Sequence, residues 1–411
     1  MSSSTPFIRA SHLRFLQGDR EYRFVGANLW YAVHLASKGP GGDRARLDRE
    51  LDRLQALGLS NLRIMASSEG SEGALEQALP TMQPHPGQID EAQLDGLDYL
   101  LQALAQRGMH AVVCLNNFWQ WSGGFAQYLH WTGAGEIPYP SKQSWQAFES
   151  YVERFYENEQ AQLWFRAFVR RLIERRNRYN GLVYRDDPTI MAWELANEAR
   201  GKNRVRRFRD WIHETAAFIK SLDRNHMVTT GSEGDTPHPW WNGTDVQRDH
   251  QSPFIDYITF HLWVENWGWY DPKVAETSFA TAMERARSYI ASHLEAAVAL
   301  GKPIVLEEFG IARDGRQMEA SAPAEFRARY YRQILSMLMP GALTSEGAAG
   351  ANFWAWSGEG RPAKPGGMWR VGDPWLGDPA HEEQGWYGVY DEESATLEVL
   401  RDFAERARNH R

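Results

Sequence analysis

The stretch IMAWELANE, residues 190 to 198, decides the fold. Ile190 to Leu195 is a short apolar run of the kind that forms a strand covered on both faces, and it ends on the polar pair Asn197 and Glu198. Seven other runs have the same form: Arg23 to Asn28, Asn61 to Met65, His110 to Asn116, Met227 to Thr230, Tyr257 to His261, Ile304 to Glu308 and Ala349 to Trp354. Segments of helical period separate them. Leu47, Leu51, Leu54 and Leu57 run up to Gly58, and Leu94, Leu97, Leu101 and Leu104 run up to Gly108, each glycine placed for a left-handed helix stop. Further helices are predicted over Gln160 to Arg175, Arg204 to Ser221, Phe279 to Leu300, Phe326 to Leu338 and Ser394 to Arg408. Strands alternating with helices imply a parallel sheet, and eight strands close one into a barrel. The expected fold is therefore α/β, a (β/α)8 barrel with long loops at the C-terminal face of the strands. No linker-like stretch interrupts the chain, so one domain over residues 1–411 is expected. Leu13 to Phe15 and Glu21 to Phe24, around a Gly18-Asp19 turn, are expected to form a hairpin (residues 10–24) that caps the barrel bottom.

Barrel enzymes assemble their sites from the carboxyl ends of several strands. In chain order these ends carry Asn28 and Trp30, Arg63, Asn116 and Asn117, Asn197 and Glu198, Glu233, His261 and Trp263, Glu308, and Trp354 and Trp356. Packing alone does not explain so many polar and aromatic groups on one face. The loop after strand three adds Phe118, Trp119, Trp121 and Tyr128, which are candidates to wall a cleft, as are Trp240 and Trp241 after strand five. The 18 tryptophans matter because an indole offers a flat apolar face with one N–H, which suits a pyranose ring rimmed by hydroxyls.

Composition narrows the partners. A net charge of −8 with no basic stripe argues against nucleic acid. The single cysteine, Cys114, lies in an apolar run and reads as core. No 18-residue apolar run suggests a membrane span, and Met1 to Arg9 lacks the features of a secretion signal, so a cytoplasmic location is expected. No metal or other cofactor is expected: the histidines include no His-x-His at a strand end and no HExxH. A non-catalytic sugar-binding barrel is the remaining rival, but it has no need of two facing glutamates.

Strands four and seven stand on opposite sides of an eight-stranded barrel, so Glu198 and Glu308 can face each other across its mouth. Cleavage of a glycosidic bond with retention needs two carboxyl groups about 5 Å apart, one to protonate the leaving oxygen and one to meet the cationic centre. The run WELANE (Trp193 to Glu198) resembles the strand-four signature of glycoside hydrolase family 5, and KPIVLEEFG (Lys302 to Gly310) resembles its strand-seven signature. The resemblance implies Glu198 as acid/base and Glu308, rather than Glu307, as nucleophile. It extends to Arg63, His261 and Trp354 and covers the chain from about residue 10 onward. NNFWQWSGG (Asn116 to Gly124), TGSEG (Thr230 to Gly234), HLWVENWGWYDP (His261 to Pro272) and NFWAWSGEGRP (Asn352 to Pro362) are similar to the mannan-degrading branch of that family. Mannan or manno-oligosaccharides are thus the implied substrates.

Roles for the other strand-end residues follow. Arg63 would keep Glu308 ionised, since a guanidinium within about 4 to 6 Å lowers a carboxyl pKa by roughly 1 to 3 units. Asn197 would bond the sugar 2-hydroxyl or cap the next helix, and His261 would orient a hydroxyl or the acid/base network. Trp354 would lie beneath the reacting sugar. Glu233, Trp30, Trp119 and Trp356 complete the substrate-binding candidates. The family commonly has His-x-Tyr on strand six, where this chain has Trp263; its indole N–H can donate to the nucleophile, or the ring can simply form wall. Glu198 is expected to be protonated near neutral pH and Glu308 not, which implies a bell-shaped dependence of rate on pH. The long insertions Ser122 to Pro140, Thr236 to Ser252 and Gly358 to Gln384 are placed to block one end of the cleft with Trp131, Trp240, Trp241 or Trp375. Together with the missing secretion signal, which suits short imported oligosaccharides rather than a polymer, that favours an exo-acting β-mannosidase on oligosaccharides, an endo-β-1,4-mannanase being the alternative.

Overall fold

The computed structural model describes residues 5–70 and 76–409. Eight parallel strands form one sheet: Phe24–Asn28, Asn61–Met65, His110–Cys114, Ile190–Glu194, Met227–Thr229, Ile258–Leu262, Ile304–Phe309 and Gly350–Phe353. Each pairs with its chain neighbours, and strand eight returns to strand one through Gly350–Phe24 to Phe353–Ala27. The ladder is interrupted only between strands five and six. There the Asp256 N–H donates to Val228 O at 2.8 Å, Thr229 Oγ1 to Tyr257 O at 3.0 Å and the His261 N–H to Glu233 O at 3.1 Å. These bonds complete a (β/α)8 barrel.

Helices cover the outside because each has one apolar stripe. Glu91–Gln106 buries Leu94, Leu97, Leu101 and Leu104, and Asp90 caps its first turn by accepting the Ala92 and Gln93 N–H groups. Gly58 and Gly108 both take positive φ just past their helices. The helix before strand seven begins at Ala275, a turn earlier than its apolar spacing suggested. Between strands five and six only Pro239–Asn242 and Val246–His250 are helical.

At the bottom, Arg14–Gln17 pairs with Arg20–Glu21 about the Gly18 turn, while Phe24 belongs to barrel strand one. A further strand, Ile8–Ser11, pairs with Arg14–Gln17 and was not foreseen, since IRAS carries no apolar alternation. Ile8 and Phe15 join Phe24, Val112, Met191, Met227, Tyr257 and Val305 in a cluster that fills the floor.

The loops over the top are long and fastened from below. After strand eight, Trp356–Gly358 pairs with Val389–Tyr390, so that residues 359–388 form an excursion that returns to its origin. The Asp378 carboxylate accepts the N–H groups of Gly385, Tyr387 and Gly388 at 2.6 to 3.2 Å. Buried Arg313 and Arg327 hold the carbonyls of Gly385, Trp386 and Gly388 and share Glu393. With backbone donors and acceptors both bound, the returning limb has one conformation to adopt.

The loop after strand three rests on Glu69, which accepts the Gly124 N–H at 3.0 Å. Burial pushes its carboxyl up to about 8, so it is largely protonated at neutral pH. A carboxyl whose pKa is higher in the folded than in the unfolded state costs stability as pH rises from about 4.3 toward that folded value. Glu69→Gln removes that pH-dependent cost, so its stability relative to wild type should improve between pH 5 and pH 8. Urea midpoints at the two pH values test this, and a difference that stays constant would refute it.

Candidate active site

The mouth of the barrel holds a cavity of about 470 Å³ lined by Trp119, Asn197, Glu198, Glu233, Trp263, Glu308 and Trp354 among the expected residues. Glu198 stands just past strand four at φ +52°, a left-handed conformation that costs a non-glycine residue about 1 kcal/mol or more. Its N–H donates to Gly231 O at 2.8 Å, and the Asn197 N–H donates to Asn116 O at 2.9 Å, so neighbouring strand ends impose the bend. Gly231 is itself at positive φ, and a Cβ there would overlap Ala196 O and the Glu194 carboxylate.

Glu308 enters from strand seven, where the register shifts between Leu306 and Glu308. One carboxylate oxygen of Glu308, one of Glu198 and one ring nitrogen of His261 all lie within 4.8 Å of one another. The His261 Nδ1 is 2.6 Å from Glu198 Oε1 and 3.3 Å from Glu308 Oε2. Arg63 bonds Glu308 from below, makes two bonds to Glu194 at 2.6 and 2.8 Å, and donates to Asn197 Oδ1 at 2.8 Å and Asn28 Oδ1 at 3.1 Å. A cation held by the Glu198, His261 and Glu308 trio would compete with that guanidinium for Glu308. Glu307 points away from the cavity and is fully buried, where desolvation and Glu194 push its carboxyl well up.

The electrostatics of the site differ from what the sequence led us to expect. Burial pushes Glu308 well above the usual carboxyl range, with Arg63 pulling the other way. Burial would also raise Glu198, but the His261 contact, the Arg200 charge and the Trp119 N–H outweigh it and hold Glu198 at about 2. Two carboxyl groups this close share one proton, and it rests on the Glu308 side, where Glu198 was expected to carry it.

Other expected residues sort by where their side chains turn. Trp119 donates to Glu198 Oε2 at 2.6 Å, and Trp263 donates to Glu198 Oε1 at 3.3 Å rather than to Glu308. Trp354 packs edge-on against Trp263 and Trp121. Asn197 spends its amide on Asn117 Oδ1 at 3.2 Å, and the next helical turn starts only at Lys202, capped by Gly201, so it caps none. Glu233 is bound by Arg200.

Two candidates lie outside the site. Trp30 is buried and donates to Gly377 O at 2.9 Å, anchoring the strand-eight excursion. Trp356 is fully buried with its indole on Glu50 Oε2 at 3.0 Å, because it begins a second short strand that faces the outer helix. Phe118 and Tyr128 are fully buried as well, while Trp121 does line the cavity. None of the four tryptophans expected to block the cleft does so. Trp375 is buried against His34, Trp131 packs on Tyr128, and Trp240 and Trp241 are 78% and 52% exposed, away from the cavity.

The sequence reading missed several lining residues. Arg200, two positions past Glu198, lies over the Trp119 ring at 4.7 Å and bonds Glu149 at 2.7 Å. Glu194 does not line the cavity but anchors Arg63; a glutamate inside an otherwise apolar strand signals a buried countercharge, and it was within the quoted run. Pro379, His381, Glu382, Glu383, Trp386 and Met368 all come from the strand-eight excursion. His381 lies parallel to Trp121, and burial pushes Glu382 well above the usual carboxyl range. Asn266 and Trp267 come from the loop after strand six, and Trp145 from the helix Trp145–Val152 that follows the insertion after strand three.

Comparison with known proteins places these features in context. The family described as GH family 5 beta-mannosidase-like matches residues 5–411. A solved glycoside hydrolase family 5 mannosidase from Rhizomucor miehei superimposes with a TM-score of 0.90 at 35% identity, over 99% of each chain. A putative mannan endo-1,4-beta-mannosidase 9 of Oryza sativa subsp. japonica is 29% identical over 85% of this chain and 81% of its own length. Mannan endo-1,4-beta-mannosidase F of Aspergillus fumigatus is 30% identical over 76% of this chain and 66% of its own.

Proposed function

The chain belongs to the β-mannosidase-like branch of glycoside hydrolase family 5, a mannan-degrading enzyme, and from that premise we propose that it releases mannose one unit at a time from short β-1,4-manno-oligosaccharides, with retention. Glu308 attacks C1 while Glu198 gives its proton to the leaving oxygen, and a glycosyl ester forms on Glu308. Water then attacks C1, with Glu198 taking its proton and the ester oxygen of Glu308 leaving. The spacing within 4.8 Å supports this double displacement, since an inverting pair stands about 6.5 Å or more apart to admit water. For the first step the shared proton has to sit on Glu198. His261 Nδ1 stands between the two carboxyl groups, 2.6 Å from Glu198 Oε1 and 3.3 Å from Glu308 Oε2, where its orientation bears on which of them holds the proton.

The observation that carries the exo reading is the wall formed by Pro379, His381, Glu382 and Trp386, which lines one side of the cavity. Asp378, Arg313 and Arg327 fasten its base, and a wall held by buried bonds supports a cleft closed on that side. An endo-acting mannanase is the second reading, favoured by the names of the curated relatives. Mannohexaose separates the two: mannose as the sole early product is expected. Early mannobiose and mannotriose, with a rapid fall in mannan viscosity, would establish the endo reading instead.

A further inference from the structure

Glu198 gives this cavity a direction. A general acid stands beside the leaving oxygen, so whatever packs around its outer side meets the departing group rather than the sugar that is retained. The oxygen Oε2 of Glu198 faces outward to the Trp119 indole, and Trp119 in turn meets Trp145 edge-on, with ring centroids 5.5 Å apart. Trp354, Trp121 and His381 group together in their own ring contacts, none of which involves Trp119 or Trp145. The chain of contacts from Glu198 through Trp119 therefore leads to the leaving-group side.

Trp119 itself has little free face. The Arg200 guanidinium lies over the ring at 4.7 Å, Phe148 runs parallel to it, and its N–H is taken by Glu198. Trp145 is different. It is the first residue of the helix Trp145–Val152, whose N-cap Ser144 accepts the Ala147 N–H, so its position is set by a capped helix end. It lines the cavity and is nevertheless 50% exposed, as is Met368 at 49% from the strand-eight excursion. The ring contacts of Trp145 are the edge-on ones with Trp119 and Phe148, and a large indole left half in water at a cavity rim keeps apolar ring surface available to a ligand. Arg200, Asn266 and Glu383 supply polar groups to the same cavity.

We infer that Trp145 is the platform on which the departing sugar of a β-mannoside stacks, its ligand being the apolar face of a pyranose. This rests on Glu198 being the acid/base of a mannosidase, and it adds where the second ring sits. A platform of this kind acts only on substrates whose leaving group has a ring. Mannobiose leaves as mannose; β-mannosyl fluoride leaves as fluoride and has nothing to stack. In Trp145→Ala the ratio of kcat/KM for mannobiose to that for mannosyl fluoride should fall about tenfold, mostly through KM, a size that one lost ring contact can produce. Trp145→Phe should recover most of the ratio. An equal loss on both substrates would mean that Trp145 only shapes the cavity, and an unchanged ratio would remove it from the site; either overturns the inference. If wild-type enzyme cleaves neither substrate, the mannosidase reading fails and takes the platform with it.

Discussion

Glu308→Ala should reduce kcat on β-mannosides by at least about three orders of magnitude while the protein stays folded, because no other carboxyl group can form the glycosyl ester. Folding survives for a physical reason. Burial already disfavours the charged form of Glu308, so its removal deletes a costly group, and Arg63 keeps Glu194, Asn197 and Asn28 as partners. The space left at C1 admits a small anion. With a substrate of good leaving ability, azide should restore turnover and attack from the vacated face, giving α-mannosyl azide. In Glu198→Ala the ester still forms, azide attacks it from the opposite face, and the product is β-mannosyl azide. Opposite anomers from the two variants would fix both roles in one experiment. Near-wild-type activity in Glu308→Ala, or the same anomer from both, would refute the assignment.

The barrel was legible because its strands are short apolar runs ending in polar residues, and all eight lie within about two residues of where their composition put them. Convergence of Glu198, Glu308, Arg63 and His261 was legible for the same reason: strand ends share one rim. Alternation stops at the end of a strand, however. Trp30 and Trp356 lie beyond that point, and the chain turns one toward Gly377 and the other toward Glu50. The wall at 379–386 was legible only as a long insertion. Its position depends on bonds such as Arg313 to Gly385, 72 residues apart, and Arg313 to Glu393, 80 apart, which no local pattern announces. Arg200 was overlooked because a loop arginine gives no sign of its target. Its aim is set by Glu233, from the loop after strand five, and by Glu149, from the helix Trp145–Val152.

Arg63 is where stability and chemistry meet, and Arg63→Met should damage both. A guanidinium has five N–H groups, and here Nε serves Glu194, Nη1 serves Asn28 and Glu308, and Nη2 serves Glu194 and Asn197. Its own positive charge is firmly retained: burial works against it, but Glu194, Glu308 and Glu307 more than offset that. Methionine fills part of the volume and leaves Glu194 fully buried without its countercharge, a change that costs about 3 to 5 kcal/mol when one partner of a buried pair is removed. The sign of the pH dependence follows. Without Arg63, which pulls it down, the folded-state pKa of Glu308 rises further above the unfolded value of about 4.3, so the variant falls further behind wild type as pH rises beyond that point. Denaturant midpoints at pH 5 and pH 8 should show the smaller gap at pH 5, and a gap independent of pH would refute the account. Arg63→Lys keeps the charge but has three donors on one nitrogen for five acceptor sites, so it should hold the fold better than methionine and still lose most activity. Full activity in Arg63→Lys would mean that charge alone, and not the fixed fork linking Glu308 to Asn197, is what the site requires.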